Sequence, residues 1–476
     1  MKNVPLFGTG VNSYSQVVTR QRRLNCLLDI RQDQDKSGVV AVGTPGSFVW
    51  VNLPTYPVWG TRVVGTTLYV VSGTVLYKIY PGGSYSALGS LPTVAQQVSM
   101  SDCTSQLIIV DGVAGYTYTF LTSTLAAITD ANFPGVSPAG PAPTSVTFLN
   151  SSFYVNSPGS RTFVKSQPLD GTLWTPYVFG TKENASDLLL EVDVINGTLV
   201  LWGQTTTEFW QDAGLSPLPV QRINGSTQNW GLAAIHSHSH VGNTEMFLGV
   251  NPDGGIRVIL LNGYTATPVS TSDIDSLIAS FSIVEDATAL VYSAYGHSVY
   301  QLTFPSANRT ICYDLVTQMW HEAQTGLDPV GRHYANLGFT FAKKNYVTDY
   351  ESGDIYQLDM DTYTDNGQPI RREVCSRHIR ADGNELYLDQ LALEFETGVG
   401  NAVVPNPVVT LRVSRDGGRT FGPEKTKPLG AVGKFIRRAR FKRLGSSTDI
   451  VVMIAVTDAV KFVLANGSAT IEVTND

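Results

Sequence analysis

Short apolar stretches bounded by polar turns recur along the chain, and their spacing predicts the architecture. Each unit is a short apolar strand, a turn that contains glycine, and a second strand with an aromatic or branched centre. The first unit runs over residues 68–79, with Ser72 and Gly73 in its turn. The later units begin near Leu107, Phe153, Leu199, Phe247, Leu290 and Phe339. A period of roughly 40–50 residues carrying hairpins is typical of a β-propeller with one blade per repeat. Six or seven blades fit this spacing, and large rings at matched positions would pack between neighbouring blades.

The pattern changes near residue 375. Beyond it apolar residues alternate along single strands, as in Leu391, Leu393 and Phe395. Half-buried alternating strands over this length predict a small β-sandwich. We therefore expect an all-β protein in three parts. These are an N-terminal arm or blade-closing segment at residues 1–60, a propeller at 61–375 and a C-terminal sandwich at 376–476.

Charged residues make up only 15% of the 476 residues, below the roughly 25% of an average soluble domain. Such a chain either hides part of its surface in an assembly or covers a β-rich fold with uncharged polar side chains. The net charge of −7 argues against tight binding to nucleic-acid phosphates.

The four cysteines lie far apart and form no CxxC pair. This fits folding in a reducing cytosol and argues against a metal knuckle or a disulfide scaffold. We expect no secretory signal, because the N-terminus leads into polar sequence. We also expect no membrane span, because the longest apolar run, residues 450–456, is too short to cross a bilayer.

One local motif has a defined geometry. Residues 414–421 match the Asp-box pattern S-x-D-x-G-x-T-aromatic, with Ser414, Asp416, Gly418 and Phe421 at the defining positions. In such a hairpin turn the aspartate accepts backbone N–H bonds, the glycine supplies positive φ and the aromatic ring fills the hairpin base. Sialidases carry this box away from their catalytic residues, so we predict a structural turn here.

Three histidines, His236, His238 and His240, would share one face of a strand, a geometry that can bind zinc or nickel. We identify no acidic or cysteine partner close to them in the sequence. We therefore expect an exposed strand face, and we predict no metal and no cofactor. The sequence contains no nucleophile elbow, Walker loop or zincin motif, and we predict no catalytic residues.

Six acidic residues cluster between residues 349 and 365. Asp359, Asp361 and Asp365 resemble part of a calcium loop but lack the spacing and the distal glutamate of an EF-hand. The cluster predicts either solvated turns or a negatively charged surface that faces DNA.

The strongest basic run, residues 434–443, would place positive charge on both faces of a strand, so that neither face is a simple core face. Its candidate interface residues are Arg437, Arg438, Arg440, Lys442 and Arg443. Three roles remain open for this run: contact with DNA phosphates, pairing with an acidic neighbouring subunit, or a cationic edge strand that resists unwanted pairing. A smaller basic patch lies at residues 20–23.

Several longer segments point to one family. They are residues 206–214, 296–305, 349–359 and 363–370, and they occur in the same order as in that family. The chain resembles the packaged-DNA stabilisation proteins of short-tailed bacteriophages from about residue 190 to 465. The first 190 residues are similar in general layout alone.

The resemblance implies a tail accessory factor, the nozzle or hub below the portal. Six copies would form a ring around the DNA channel, dock on the portal-adaptor ring, and carry tail fibres or tailspikes and a needle-like plug. The ring would retain packaged DNA and open for ejection, in a virion tail assembled in the host cytoplasm. Because the channel should not grip passing double-stranded DNA, we expect an acidic lumen near Asp359, Asp361 and Asp365. We expect the basic run at subunit or portal-side contacts.

Two other classes of function remain open. The Asp-box and the many aromatic residues would suit a propeller glycosidase or depolymerase that acts on host surface polysaccharide. A sugar-binding propeller would need nearly identical pockets in each blade, whereas these repeats share a pattern rather than residues.

Overall fold

The computed structural model describes residues 2–4, 6–7, 11, 21–30, 38–94, 96–136, 140–328, 330–381, 383–435 and 438–474. Within these ranges the chain is almost entirely β, and no helix has the length and apolarity needed to cross a bilayer. The N-terminal strands are β1 (Lys2–Asn3), β2 (Arg23–Leu24), β3 (Cys26–Ile30), β4 (Val39–Gly43) and β5 (Gly46–Asn52).

The described residues between Val58 and Asp359 form seven consecutive sheets, which are the blades of the propeller. Blade 1 is β6 (Val58–Val64), β7 (Thr67–Ser72), β8 (Val75–Ile79) and β9 (Tyr85–Ser90). Blade 2 is β10 (Ser99–Asp102), β11 (Gln106–Val110), β12 (Gly115–Thr119) and β13 (Thr124–Ala127). Blade 3 is β14 (Val146–Leu149), β15 (Ser152–Asn156), β16 (Thr162–Gln167) and β17 (Asp170–Thr181).

Blades 4 and 5 follow directly. Blade 4 is β18 (Leu189–Ile195), β19 (Thr198–Gly203), β20 (Thr207–Asp212) and β21 (Val220–Arg222). Blade 5 is β22 (Gly231–Leu232), β23 (Ser239–Val241), β24 (Thr244–Val250), β25 (Ile256–Asn262) and β26 (Thr265–Pro268). A 3₁₀ turn, Ile235–Ser237, separates β22 from β23, and helix α1 (Ser272–Ala279) leads to blade 6.

Blades 6 and 7 complete the ring. Blade 6 is β27 (Thr288–Ala294), β28 (His297–Phe304), β29 (Arg309–Asp314) and β30 (Met319–Glu322). Blade 7 contains β31 (Ala335–Phe341), β32 (Lys344–Asp349) and β33 (Asp354–Asp359), followed by the short β34 (Thr364–Asp365) and β35 (Gln368–Pro369).

The N-terminal segment closes the ring. Strand β5 pairs antiparallel with β33 and so supplies the fourth strand of blade 7. Because β31 of blade 7 also contacts β6 of blade 1, the ring has seven blades. The first five repeats of the sequence begin on the second strand of a blade's ladder, whereas the repeats at Leu290 and Phe339 begin on the first.

The propeller core lies between neighbouring blades. Tyr69 of blade 1 packs near Tyr118 of blade 2, with ring centroids 5.7 Å apart. Phe163 of blade 3 meets Trp210 of blade 4 edge to face at 5.4 Å. The expected packing of large rings between blades is therefore present, and each such cluster joins two adjacent sheets.

The C-terminal strands form the sandwich. They are β36 (Arg372–Cys375), β37 (Ile379–Arg380), β38 (Glu385–Phe395), β39 (Val408–Ser414), β40 (Lys425–Pro428), β41 (Ala439–Ser447), β42 (Asp449–Val456) and β43 (Val463–Thr474). One sheet has the order β3-β4-β43-β38-β41, with β1 beside β43, and the other contains β36-β42-β39-β40, with β37 beside β42. The strands β1, β3 and β4 come from the N-terminal segment, which therefore contributes to both domains. A single apolar cluster fills the space between the sheets.

The two domains share a continuous sheet. Strand β2 runs parallel to β30 of blade 6 on one side and antiparallel to β36 of the sandwich on the other. The backbone ladder therefore passes from the propeller into the sandwich through residues Arg23 and Leu24.

Candidate functional site

A cluster of histidines and carboxylates lies between blades 4 and 5. Glu191 and Asp193 alternate along β18, so both side chains point to the same side of that strand. His240 on β23 pairs in register with Glu245 on β24. His238 lies just before β23 and completes the cluster. Strand alternation and one hairpin therefore bring five ionisable groups together.

The contacts in this cluster are short. His238 Nδ1 lies 3.0 Å from Glu245 Oε1 in a hydrogen bond, and His238 Nε2 lies 3.0 Å from Glu191 Oε2. His240 Nε2 is 3.3 Å from Asp193 Oδ2, and His240 Nδ1 is 2.6 Å from Glu245 Oε2. The Glu245 side chain is fully buried, whereas that of His240 is 52% exposed.

Burial and ion pairing set opposite pKa shifts in the cluster. Burial raises the pKa of Glu191 in spite of His238. Burial alone would lower the pKa of His238, but Glu191 and Glu245 raise it. The carboxylates of Asp193 and Glu245, which face the two ring nitrogens of His240, raise the pKa of His240 to about 10. The surrounding carboxylates therefore favour the protonated forms of both imidazoles.

The expectation of one exposed histidine face is wrong. His236 lies in the 3₁₀ turn rather than on a strand, and no hydrogen bond or ion pair joins it to the cluster among the described residues. Glu245 was not predicted as a partner, although it follows His240 by only five residues. Glu191 and Asp193 could not be predicted from the local sequence, because they belong to another blade. The signal that could have found them is the E-x-D alternation in one predicted strand beside an H-x-H segment in the next repeat.

The acidic segment lies along the outer part of blade 7. Asp359 accepts a hydrogen bond from Thr362 Oγ1 at 2.9 Å, and Asp361 is exposed. Asp365 differs from both, because its carboxyl group is 4% exposed and accepts a bond from Ser47 Oγ at 3.4 Å. Burial raises the pKa of Asp365 to about 7, against the opposing effects of Arg372 and Ser47. Asp365 is therefore a buried carboxyl group rather than one that could line a channel.

The Asp-box is a turn held by its own hydrogen bonds. Ser414 Oγ donates to Asp416 Oδ1 at 2.6 Å, and Thr420 N donates to the same carboxylate at 2.9 Å. These bonds lower the pKa of Asp416, with the Ser414 hydroxyl contributing most. Gly418 has φ +91° and its N–H donates to Ser414 Oγ at 2.8 Å. Phe421 lies beside the turn, with the Arg412 guanidinium 5.8 Å from its ring centroid.

The basic run is partly an edge strand. Arg437 lies outside the described residues. In β41, Ala439 and Phe441 are buried while Arg440 and Lys442 are exposed, so the expectation that neither face is a core face is wrong for this strand. The pairing register with β38 shifts after Lys442, and Arg443 has φ +56°. This β-bulge keeps Arg443 exposed and returns Leu444 to the core.

Strand β41 forms the edge of its sheet and borders an open groove of about 1060 Å³. The groove is lined by both signs of charge, from Glu394 and Glu396 on one side to Arg438 and Arg440 on the other. Arg438 Nη2 lies 3.9 Å from Glu394 Oε1, too far for a strong ion pair.

In the other basic patch, Arg20 lies outside the described residues, whereas Arg22 and Arg23 are largely buried. Arg22 Nη2 lies 3.0 Å from Glu322 Oε2 of blade 6, and Arg22 Nη1 lies 3.6 Å from Glu373 Oε1 of the sandwich. Arg371 Nη2 holds the other oxygen of Glu373 at 2.6 Å. Arg23 donates to the backbone carbonyl of Trp320 at 2.7 Å. These charges form a junction network between the two domains, which no local pattern indicates because Arg22 and Glu373 are 351 residues apart.

Similarity to solved structures is distant. A computationally designed protein, Ika8, is 10% identical with a TM-score of 0.39, over 75% of this chain and 96% of that chain. A chain of the mitotic checkpoint complex is 13% identical with a TM-score of 0.40, over 70% and 97%. Hydrazine synthase from Kuenenia stuttgartiensis is 11% identical with a TM-score of 0.40, over 66% and 95%. At such TM-scores these likenesses carry no argument about function.

No curated protein matches the chain. Family models give a specific answer, and they match the two domains separately. Residues 58–363 match the model described as bacteriophage P22 Gp10, beta-propeller. Residues 371–472 match the model described as bacteriophage P22 Gp10, beta-sandwich. These matches confirm the resemblance and the all-β fold class expected from the sequence. The chain therefore belongs to the bacteriophage P22 Gp10 family of phage structural proteins.

Proposed function

We propose that this protein is the tail nozzle, or hub, of a short-tailed phage. Six copies form a ring that docks on the portal-adaptor ring, closes the channel below the portal, retains the packaged DNA and opens for ejection. The observation that carries this proposal is the family match over both domains, in the order propeller and then sandwich. The ring also carries the tail fibres or tailspikes and the plug, and the mature protein resides in the virion tail.

The charge distribution supports passage of DNA without tight binding. Residues 97–286, which contain blades 2 to 5, carry 16 Asp and Glu against 5 Lys and Arg. A surface of this sign repels phosphates and releases no counterions to them, so DNA would not adhere to it. Half-buried Asp359 and exposed Asp361 add to the negative charge on blade 7.

The exposed basic edge strand supports assembly with other protein surfaces. Arg440 and Lys442 are exposed on β41, the edge strand of its sheet, and among the described residues no acidic side chain lies within ion-pairing distance of either. Complementary charges steer association between protein surfaces and fix their register more than they add affinity. An acidic neighbouring subunit is therefore a suitable partner for this strand.

A DNA-retention assay tests the proposal. DNA-filled heads that carry portal and adaptor rings, but lack this protein, should lose their DNA to added nuclease. Purified protein should restore nuclease resistance, whereas no gain at saturating protein would contradict the proposed function.

The acidic surface of blade 7 has a separate test. The double variant Asp359→Asn with Asp361→Asn should leave DNA retention intact but slow DNA exit after triggering. The reason is that the surface of blade 7 would then repel the DNA phosphates less strongly. Glu424→Gln, an exposed change in the sandwich and outside the acidic blades, is the matched control. Unchanged exit kinetics in the double variant would remove blade 7 from the channel wall.

A further inference from the structure

We propose that Asp193, His240 and Glu245 bind a divalent transition-metal cation of the zinc class between blades 4 and 5. One ligand atom from each residue lies within 4.8 Å of the other two. This inference goes beyond the proposed function, which requires no metal.

The donor set suits such a cation. One imidazole nitrogen and two carboxylate oxygens are common zinc ligands, and solvent can complete a tetrahedral site. The imidazole favours zinc and similar transition metals over calcium or magnesium, which prefer all-oxygen sites. The half-exposed ring of His240 gives the cation a route from solvent to the buried Glu245.

A second observation points to a ligand. Glu245 is fully buried, yet its Oε2 atom accepts no hydrogen bond, and neither does the buried Oδ2 atom of Asp193. His240 Nδ1 approaches Glu245 Oε2 to 2.6 Å without the alignment of a hydrogen bond. Buried carboxylate oxygens normally have partners, because leaving one unsatisfied costs free energy. A cation between these atoms would satisfy both oxygens.

The surrounding side chains hold the ligands in place. His238 Nδ1 bonds the other oxygen of Glu245 at 3.0 Å and fixes the direction of that carboxylate. His238 in turn contacts Glu191 through Nε2 at 3.0 Å and lies beside the Trp202 ring, with centroids 6.0 Å apart. Such partners beyond the ligands orient metal sites, and their loss typically weakens metal binding about 10–100-fold.

The location gives the metal a structural role. Asp193 belongs to β18 of blade 4, whereas His240 and Glu245 belong to β23 and β24 of blade 5. A bound cation would therefore cross-link two neighbouring blades, which also meet through the His238–Glu191 contact and through apolar side chains such as Trp202 and Phe247.

The test uses the full-length protein, stripped of metal with a chelator. Zinc chloride is titrated by calorimetry, and retained zinc is measured by mass spectrometry after desalting. We expect one zinc per chain and a higher melting temperature with zinc. Asp193→Asn and His240→Gln should abolish the stoichiometric binding and the zinc-dependent shift, and His238→Gln should weaken binding by about 10–100-fold. Circular dichroism establishes that each variant is folded, and Asp193→Asn, which keeps the side-chain shape, serves if His240→Gln does not fold.

His236→Gln is the matched control, because His236 lies in the same segment but outside the cluster. This variant should bind zinc like the wild type. The proposal is overturned if the stripped protein takes up no zinc, if zinc binding survives Asp193→Asn and His240→Gln, or if it disappears in His236→Gln. Binding of calcium in preference to zinc would also overturn it, since the class of cation would then be different.

Discussion

The propeller and the sandwich bury their apolar residues in different ways. In the sandwich a single cluster, which includes Leu393, Leu411 and Ile454, fills the space between two sheets. In the propeller the apolar residues are divided among separate clusters, most of which join two adjacent blades. The sandwich should therefore unfold as one unit, whereas the propeller should open locally between blades.

The two regions also differ in charge. Residues 376–476 carry 14 Lys and Arg against 11 Asp and Glu, whereas residues 1–375 hold 19 against 29. The sandwich side is thus formally +3 and the rest of the chain −10. The chain therefore combines an acidic propeller with a basic sandwich. The two domains are joined through the short strand β2 and through buried ion pairs.

The largest expected effect breaks the connection between the regions. Glu373 is fully buried and contacts Arg371 at 2.6 Å and Arg22 at 3.6 Å. Glu373→Ala should destabilise the protein by about 3–5 kcal/mol, because it leaves the largely buried Arg371 guanidinium without its counter-charge and leaves Arg22 with Glu322 alone. Urea unfolding followed by tryptophan fluorescence measures the loss.

The matched control is Glu424→Ala, an exposed glutamate of the sandwich, which should change stability by less than about 0.5 kcal/mol. The domain-specific transitions can be followed by hydrogen exchange. A shift confined to the sandwich, with the propeller unchanged, would contradict the role of the junction network in coupling the two regions.

A second prediction compares the two kinds of core. Leu411 in the sandwich and Leu107 between blades 1 and 2 are both fully buried, and replacing either with Ala should cost about 2–5 kcal/mol. Hydrogen exchange should accelerate throughout the sandwich in Leu411→Ala, because its core is contiguous. In Leu107→Ala the acceleration should be confined to blades 1 and 2. Equal spreading of exchange in the two variants would show that the propeller core is as cooperative as that of the sandwich.

The smallest expected effect is a pH-dependent ion pair within blade 6. His297 Nδ1 lies 2.7 Å from Asp314 Oδ2, and both side chains are buried. The hydrogen bond to Asp314 raises the pKa of His297 above 6.5. Burial alone would raise the pKa of Asp314, but hydrogen bonds from His297 and Thr317 lower it below 3.8.

The sign of the pH dependence follows from these directions. The contribution of His297 to the free energy of unfolding is complete below pH 6.5, and it is lost as the pH rises through the raised pKa of His297. The Asp314 contribution is complete above pH 3.8 and is lost as pH falls through its lowered pKa. A double-mutant cycle with His297→Gln and Asp314→Asn should give a coupling free energy of about 1.5–3 kcal/mol between pH 3.8 and pH 6.5. The coupling should become smaller as the pH falls through the pKa of Asp314 or rises through the pKa of His297. A coupling that is constant with pH would refute this ionised pair.

The repeated parts of the fold could be predicted from sequence because each blade shows its own local pattern. Strand alternation and glycine turns identified the seven repeats, and the alternation of apolar residues from Leu391 to Phe395 predicted the sandwich. The same patterns left two roles for residues 1–60, an arm or a segment that closes a blade, because β5 pairs with β33 some 300 residues later. Pairing over such a distance depends on tertiary contacts that no short pattern encodes.

The candidate sites show the same limit. The Asp-box turn could be derived from eight consecutive residues, since its hydrogen bonds are local. Arg443 and Asp365 could not, because a bulge in β41 and the burial beside Ser47 decide their exposure. The His240 cluster needed residues from two blades, and local sequence showed one half of it at a time.

The most direct test of the proposed nozzle is the mass and negative-stain image of the purified chain, alone and mixed with a portal–adaptor complex. If the protein is the nozzle, the images should show rings with six-fold symmetry. Such rings should form on the portal–adaptor complex even when the free chain is a monomer. A chain that stays monomeric and ignores the complex would contradict the account, and cleavage or binding of a surface polysaccharide by that monomer would favour an enzyme or a sugar-binding propeller instead.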